Sequence, residues 1–196
     1  MNLRLVTSRI VAGVLVAALL FTTHRWTEHG PLDDVLGAFG LTFLLIACLG
    51  RIWCAAHIAG HKDSTLVDKG PFSITRNPLY FFSLFGFIGT GLGFESFTLA
   101  AVFGTLFLAT HWPTILYEEG KLREIFGAPY DAYCARVPRF LPNPRLFSRA
   151  ETMTLKPKAF NRSLLEAGLI PFIYLGAQII EALHENGILP AYMQLY

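Results

Sequence analysis

The amino-acid sequence predicts an all-α fold, a polytopic membrane helical bundle of about five transmembrane helices, and three observations carry that reading. Hydrophobic residues make up 53% of the 196 and charged ones only 15%, well under the roughly 25% charged of an average soluble domain. The apolar residues gather into runs of membrane-spanning length, and the lysines and arginines gather between those runs on alternate sides. No Gly/Ser-rich linker, internal period or low-complexity tract divides the chain, so residues 1–196 read as a single integral membrane domain.

The spans follow in order. Arg4 and Arg9 precede an apolar run from Ile10 to Phe21; no small-x-small cleavage site follows it, so it reads as a retained first span. Val35 to Ala56 forms the second, with Arg51 near its end, where a long side chain can snorkel towards the interface. Pro78 to Gly93 forms the third. It is short, since some sixteen residues at about 1.5 Å each cover about 24 Å of a bilayer core of about 30 Å. Phe97 to Tyr117 forms the fourth, joined to the third only by Gly91 to Ser96, which makes the pair a membrane helical hairpin. Pro113 lies inside this span, where it removes a backbone donor and predicts a kink. A fifth run covers Leu164 to Leu183.

Apart from Arg25 and the span-end Arg51, every Lys and Arg falls before the first span, between the second and third, or between the fourth and fifth. The positive-inside rule therefore predicts those loops and the N-terminus to be cytoplasmic and the tail from His184 outside. The formal charge of +2 is too small to imply a nucleic-acid partner. Cys48, Cys54 and Cys134 show neither metal-like spacing nor a disulfide framework. His57 and His61 have the spacing of a helical metal pair but no third ligand, so no metal site is expected.

Two loops hold more chemistry than tethers need. In Arg76-Asn77-Pro78, Pro78 suits the first turn of a helix and pushes Asn77 out of helical backbone into a cap position. A helix start with a snorkelling arginine explains that tripeptide by itself. Glu118-Glu119 ends the fourth span, where the helix dipole disfavours carboxylates, unless the helix runs on to Phe126 as a solvated amphipathic extension. The antiparallel hairpin changes the weighing. It returns the two glutamates to the face from which Arg76 and Asn77 depart, and ionisable groups held at that depth are functional candidates.

Gly70-Pro71-Phe72, then Thr75-Arg76-Asn77-Pro78-Leu79-Tyr80, then Glu118-Glu119 with Leu122, Phe126-Gly127, Tyr130, Tyr133 and Val137-Pro138-Arg139 together resemble the isoprenylcysteine carboxyl methyltransferase family and its bacterial relatives. The Asn-Pro-x-Tyr form and Leu116-Tyr117-Glu118-Glu119 also resemble phosphatidylethanolamine N-methyltransferases, members of the phospholipid methyltransferases. The resemblance covers about residues 59–142. It implies a pocket for S-adenosylmethionine at the cytoplasmic end of the hairpin and a lipophilic methyl acceptor entering from the bilayer, among membrane lipids. It implies that Arg76, Asn77, Pro78, Tyr80, Tyr117, Glu118, Glu119, Gly60 and Gly70 bind the cofactor. It further implies that Arg139 orients a carboxylate acceptor, with Asn77 and Tyr80 completing the catalytic centre. Tyr80 and Tyr117 are expected to face one another near the hairpin feet.

Two departures from the isoprenylcysteine pattern matter. Asn77 stands where those enzymes usually carry His, which bears on the acceptor and leaves phospholipid N-methylation as the alternative to carboxylate methylation. The chain also continues through a basic segment, Arg145 to Arg162, into the fifth span, for which dimerisation or a lateral wall for the acceptor are the readings. Membrane sterol reductases that bind NADPH resemble the same fold, and a non-catalytic membrane scaffold is the remaining class.

Overall fold

The computed structural model describes residues 20, 22–24, 30–59, 65–190 and 192–195. The predicted first span falls almost wholly outside them, as do Gly60 and His61. Helix α1 (Pro31–Ile58) opens with Pro at its first turn and Asp33 and Asp34 beside the positive end of its dipole. Its 28 residues extend about 42 Å, more than a bilayer core needs. A four-residue helix, α2 (Pro71–Ile74), precedes α3 (Pro78–Gly93), whose start and end coincide with the predicted third span. Ser96 then caps α4 (Phe97–Phe126), accepting from the Leu99 amide at 3.2 Å.

Two predicted boundaries move. The fourth helix passes Pro113 and both glutamates without interruption and stops only at Gly127, whose φ of 57° suits a residue without a side chain. The glutamates therefore sit inside a helix, and the dipole argument against them does not apply. The predicted fifth span is divided into α6 (Pro157–Gly168) and α7 (Phe172–Glu185), because Pro171 interrupts the hydrogen-bond ladder. Between these lie α5 (Ala128–Arg136) and a 3₁₀ turn at Pro144–Leu146. Two short strands, β1 (Thr22–His24) and β2 (Met193–Leu195), pair in parallel.

Three stretches, Pro31–Ile58, Phe97–Phe126 and Pro157–Glu185, are long and apolar enough to cross a membrane, with α3 as a shorter apolar helix among them. Only 11% of the best window in Pro157–Glu185 is buried, so Leu165, Leu169 and Phe172 present their surface outward to lipid. Helix α3 is the centre of the bundle: it packs on α1 along one side and on α4 along the other, while α6 lies against α1. The α1–α3 contact relies on small residues. A side-chain carbon at Gly40 would collide with the backbone of Gly93, and one at Gly50 with the Phe82 ring. Gly40→Leu should therefore force α1 and α3 apart and destabilise the bundle by about 1–3 kcal/mol or more, read as a lowered melting temperature in detergent beside an unchanged Leu49→Ala control on the lipid face.

Candidate active site

The feet of the hairpin converge on one carboxylate. Glu119, on the inner face of α4, is 4% exposed. Its Oε1 accepts from Asn77 Nδ2 at 2.8 Å, and its Oε2 accepts from Arg139 Nε at 3.0 Å and Arg76 Nη1 at 3.3 Å. A buried carboxylate with three donors satisfies the rule that interior charge must be paired and hydrogen-bonded. Asn77 does occupy the N-cap position of α3, but its side chain makes no cap bond; Nδ2 also donates to the Arg139 carbonyl at 3.0 Å.

Backbone pairing docks the segment after α5 against the start of the hairpin. The Arg76 amide donates to Pro138 O at 2.9 Å, and the Asn143 amide to Ile74 O at 2.8 Å. The buried Thr75 hydroxyl lies 3.0 Å from Phe140 O and donates to it. On the other side, Gly70 holds a φ of 60° with its α-carbon against the His57 ring, and its amide donates to Ser148 O at 2.8 Å. His57 itself approaches the Trp53 carbonyl through Nδ1 at 2.9 Å. Among the described residues no group of three or more His, Cys, Asp or Glu side chains could hold a metal ion.

A chamber of about 340 Å³ opens beside this network, within the roughly 300–1,000 Å³ range of small-molecule sites. Arg76, Tyr117, Glu118, Phe72, Tyr130 and Tyr133 line it. Arg76 presents a buried Nε with no partner, and Glu118 makes no hydrogen bond or ion pair among the described residues. The two adjacent glutamates thus divide their tasks: successive helical positions point about 100° apart, so Glu119 faces inward while Glu118 faces the chamber. Tyr130 and Tyr133 are 1% and 5% exposed, in place of the interfacial belt that would explain two such tyrosines. Burial raises both phenol pKa values, helped by the Glu119 charge at Tyr130 and by Tyr130 at Tyr133. Tyr133 therefore stays a donor, to Phe72 O at 2.7 Å.

A second chamber, of about 570 Å³, adjoins the first at Ile58 and Glu118. Tyr80 lines it beside His111, with ring centroids 5.9 Å apart, so Tyr80 and Tyr117 stand in different chambers and do not face one another. Ala159 and Ser163 of α6 complete its wall. A third space of about 340 Å³ shares Arg51, Ser83 and Phe87 with the second and is closed by Glu166, Ile170 and Ile173. Asn77 and Arg139 line none of the three. Pro78 is buried in the first turn of α3. His111 escaped the sequence reading although an ionisable residue within an apolar span is a signal in itself.

Fold and site define an integral membrane helical bundle with a ligand-sized chamber at the feet of its hairpin. The chain belongs to the phospholipid methyltransferase family, whose model matches residues 34–129, from α1 to the start of α5. It is 32% identical over 189 residues to the cobalt-zinc-cadmium resistance protein CzcN of Cupriavidus metallidurans, covering 95% of this chain and 86% of that one. It is 33% identical over 159 residues to the nickel-cobalt-cadmium resistance protein NccN of Alcaligenes xylosoxydans xylosoxydans, covering 81% and 74%. No solved structure matches the chain.

Glu119→Ala should lower stability by about 3 kcal/mol, since it leaves Arg76 and Asn77 buried without their acceptor, whereas Glu118→Gln should stay within about 0.5 kcal/mol of the parent in the same thermal melts. The raised phenols add a pH dependence. A proton held more tightly in the folded chain contributes stability that is complete below the unfolded tyrosine pKa of about 10 and is lost as pH rises further. Melting temperatures should therefore fall above about pH 10, and less steeply in Tyr133→Phe, which starts lower by about 1–3 kcal/mol because the Phe72 carbonyl loses its donor.

Proposed function

We propose that this protein transfers a methyl group from S-adenosylmethionine to a lipophilic acceptor at the membrane interface. The observation that carries the reading is the position of Glu118: a carboxylate without a partner among the described residues, at the junction of a polar chamber and a larger, more apolar one. The donor set of the first chamber fits the cofactor. Glu118 offers an acceptor for its ammonium or ribose hydroxyls, Arg76 Nε, without a partner among the described residues, offers a donor for its carboxylate, and the exposed Tyr117 offers a face for a planar ring. When bound, the cofactor supplies a methyl group already activated by its sulfonium charge.

Transfer then asks the protein for alignment and exclusion of water. Glu119 acts as a positioning residue. It holds Arg76 at the chamber wall and fastens Asn77 and Arg139 to the docked segment that closes the site. Arg139 bonds Glu119 through Nε and lines none of the three chambers, which favours a different cation for a carboxylate acceptor from the one the family resemblance suggested. By the positive-inside rule this end of the bundle faces the cytoplasm, where the cofactor is available. For this chain, the metal resistance in the names of its relatives would follow from methylation of a membrane component.

Titration calorimetry on the purified full chain tests the reading. S-adenosylmethionine or its demethylated product should bind saturably, and Glu118→Gln should weaken that binding by about tenfold or more through the loss of a charge-assisted hydrogen bond. Absence of binding by either compound would sink the proposal, and saturable NADPH binding in its place would move the protein to the reductase class.

A further inference from the structure

A second polar constellation lies between α1 and α3, apart from the Glu119 network. Arg51 is seven residues before the end of α1, about 10 Å below it, and Ser83 is five residues into α3, about 7.5 Å below the hairpin foot. The sequence suggested that Arg51 snorkels to the interface. Its Nη1 donates to Ser83 Oγ at 2.6 Å, and the Ser83 hydroxyl donates onward to Leu79 O at 2.7 Å. The serine proton is thereby committed to the helix, which leaves its oxygen to accept from the guanidinium.

That is the one hydrogen bond Arg51 makes among the described residues, although the group carries five N–H donors. Two carboxylates share its chambers. Glu166 is bonded to Arg162 at 2.8 Å, and Glu118 lies in the second chamber; neither forms an ion pair with Arg51. An arginine on the wall of a largely apolar space without a counter-charge is costly, and such residues are candidates for ligand contact. Arg51 also stands on the wall common to the second and third chambers, between the proposed methyl-transfer point at Glu118 and an apolar space lined by Ala47, Phe103, Ile170 and Ile173.

We propose that Arg51, oriented by Ser83, is an anion-binding site for the lipophilic acceptor: it takes the carboxylate or phosphate of an anionic amphiphile whose apolar part occupies the third chamber. This rests on the methyl-transfer reading for the identity of the ligand as acceptor, but the anion site itself can be tested without turnover. It gives the fifth span a task, since Ile170 and Ile173 beside the Pro171 break supply the outer wall of the apolar space. It also supplies the cation that Arg139 does not.

The test uses the full-length protein in a non-ionic detergent and three chain-matched quenchers of tryptophan fluorescence: 12-bromododecanoate, 12-bromododecyl phosphate and 12-bromododecanol. Quenching of the chain's three tryptophans, Trp26, Trp53 and Trp112, reports binding. The wild type should bind one or both anions about tenfold or more tightly than the alcohol, the increment expected of a charge-assisted hydrogen bond. Whichever anion leads identifies a carboxylate or a phosphate source. Arg51→Gln keeps a donor for Ser83 but removes the charge, and should bring all three probes within about twofold of one another. Arg51→Lys should retain part of the preference, because a point charge lacks the guanidinium fork. Equal binding of alcohol and anions by the wild type overturns the proposal, whichever variants fold, and so does a preference that survives in a folded Arg51→Gln. Cofactor affinity measured on the same samples separates the two claims: an anion preference without S-adenosylmethionine binding would refute methyl transfer and keep the site.

Discussion

A carboxylate withdrawn from water between two guanidinium groups and a carboxamide is stable only if all four stay where they are, and that mutual requirement organises this end of the molecule. Glu119 sits on α4, Arg76 and Asn77 at the foot of α3, and Arg139 on the segment after α5. Desolvating a carboxylate is expensive, and three donors with charge on two of them offset it. The same bonds dock the segment that carries Arg139 against the hairpin foot, where it is also paired to Arg76 and Ile74 through the backbone. Of the two cations only Arg76 also lines the first chamber, together with Glu118.

The hairpin geometry turns this local network into a division of labour. The short α3 is flanked by α1 and α4, and the first two chambers meet at Ile58 of α1 and Glu118 of α4. Polar groups cluster towards the interface, at Arg76 and Glu118, while the deeper space is walled by aliphatic and aromatic side chains. Under the methyl-transfer proposal, such a gradient would let a water-soluble donor and a membrane-dissolved acceptor meet without either crossing the other's medium. Helices α6 and α7 bury little of their surface against the rest, yet their inner residues complete the deeper walls.

Much of this was legible in the chain. The third span was bounded correctly because Asn77-Pro78 and Gly93 act on the backbone within one turn. The meeting of Arg76, Asn77 and the glutamates followed from antiparallel topology. The end of α4 was less legible, since Tyr117-Glu118-Glu119 looks like a boundary when hydropathy is the signal, while hydrogen bonding continues to Phe126 regardless of polarity. Arg51 read as an interfacial residue because an arginine near a span end ordinarily snorkels; its bond to Ser83 depends on a neighbouring helix 32 residues away in sequence.

The sequence by itself determined the membrane class, the number and order of the described apolar spans, and the residues that gather at the hairpin feet, because run length, proline position and charge placement act locally. Tertiary structure alone decided which of two adjacent carboxylates is sealed and which faces the chamber. A helix turns them to different faces, and the face that becomes interior is chosen by partners 42 and 43 residues away, Asn77 and Arg76, whose positions no local pattern specifies.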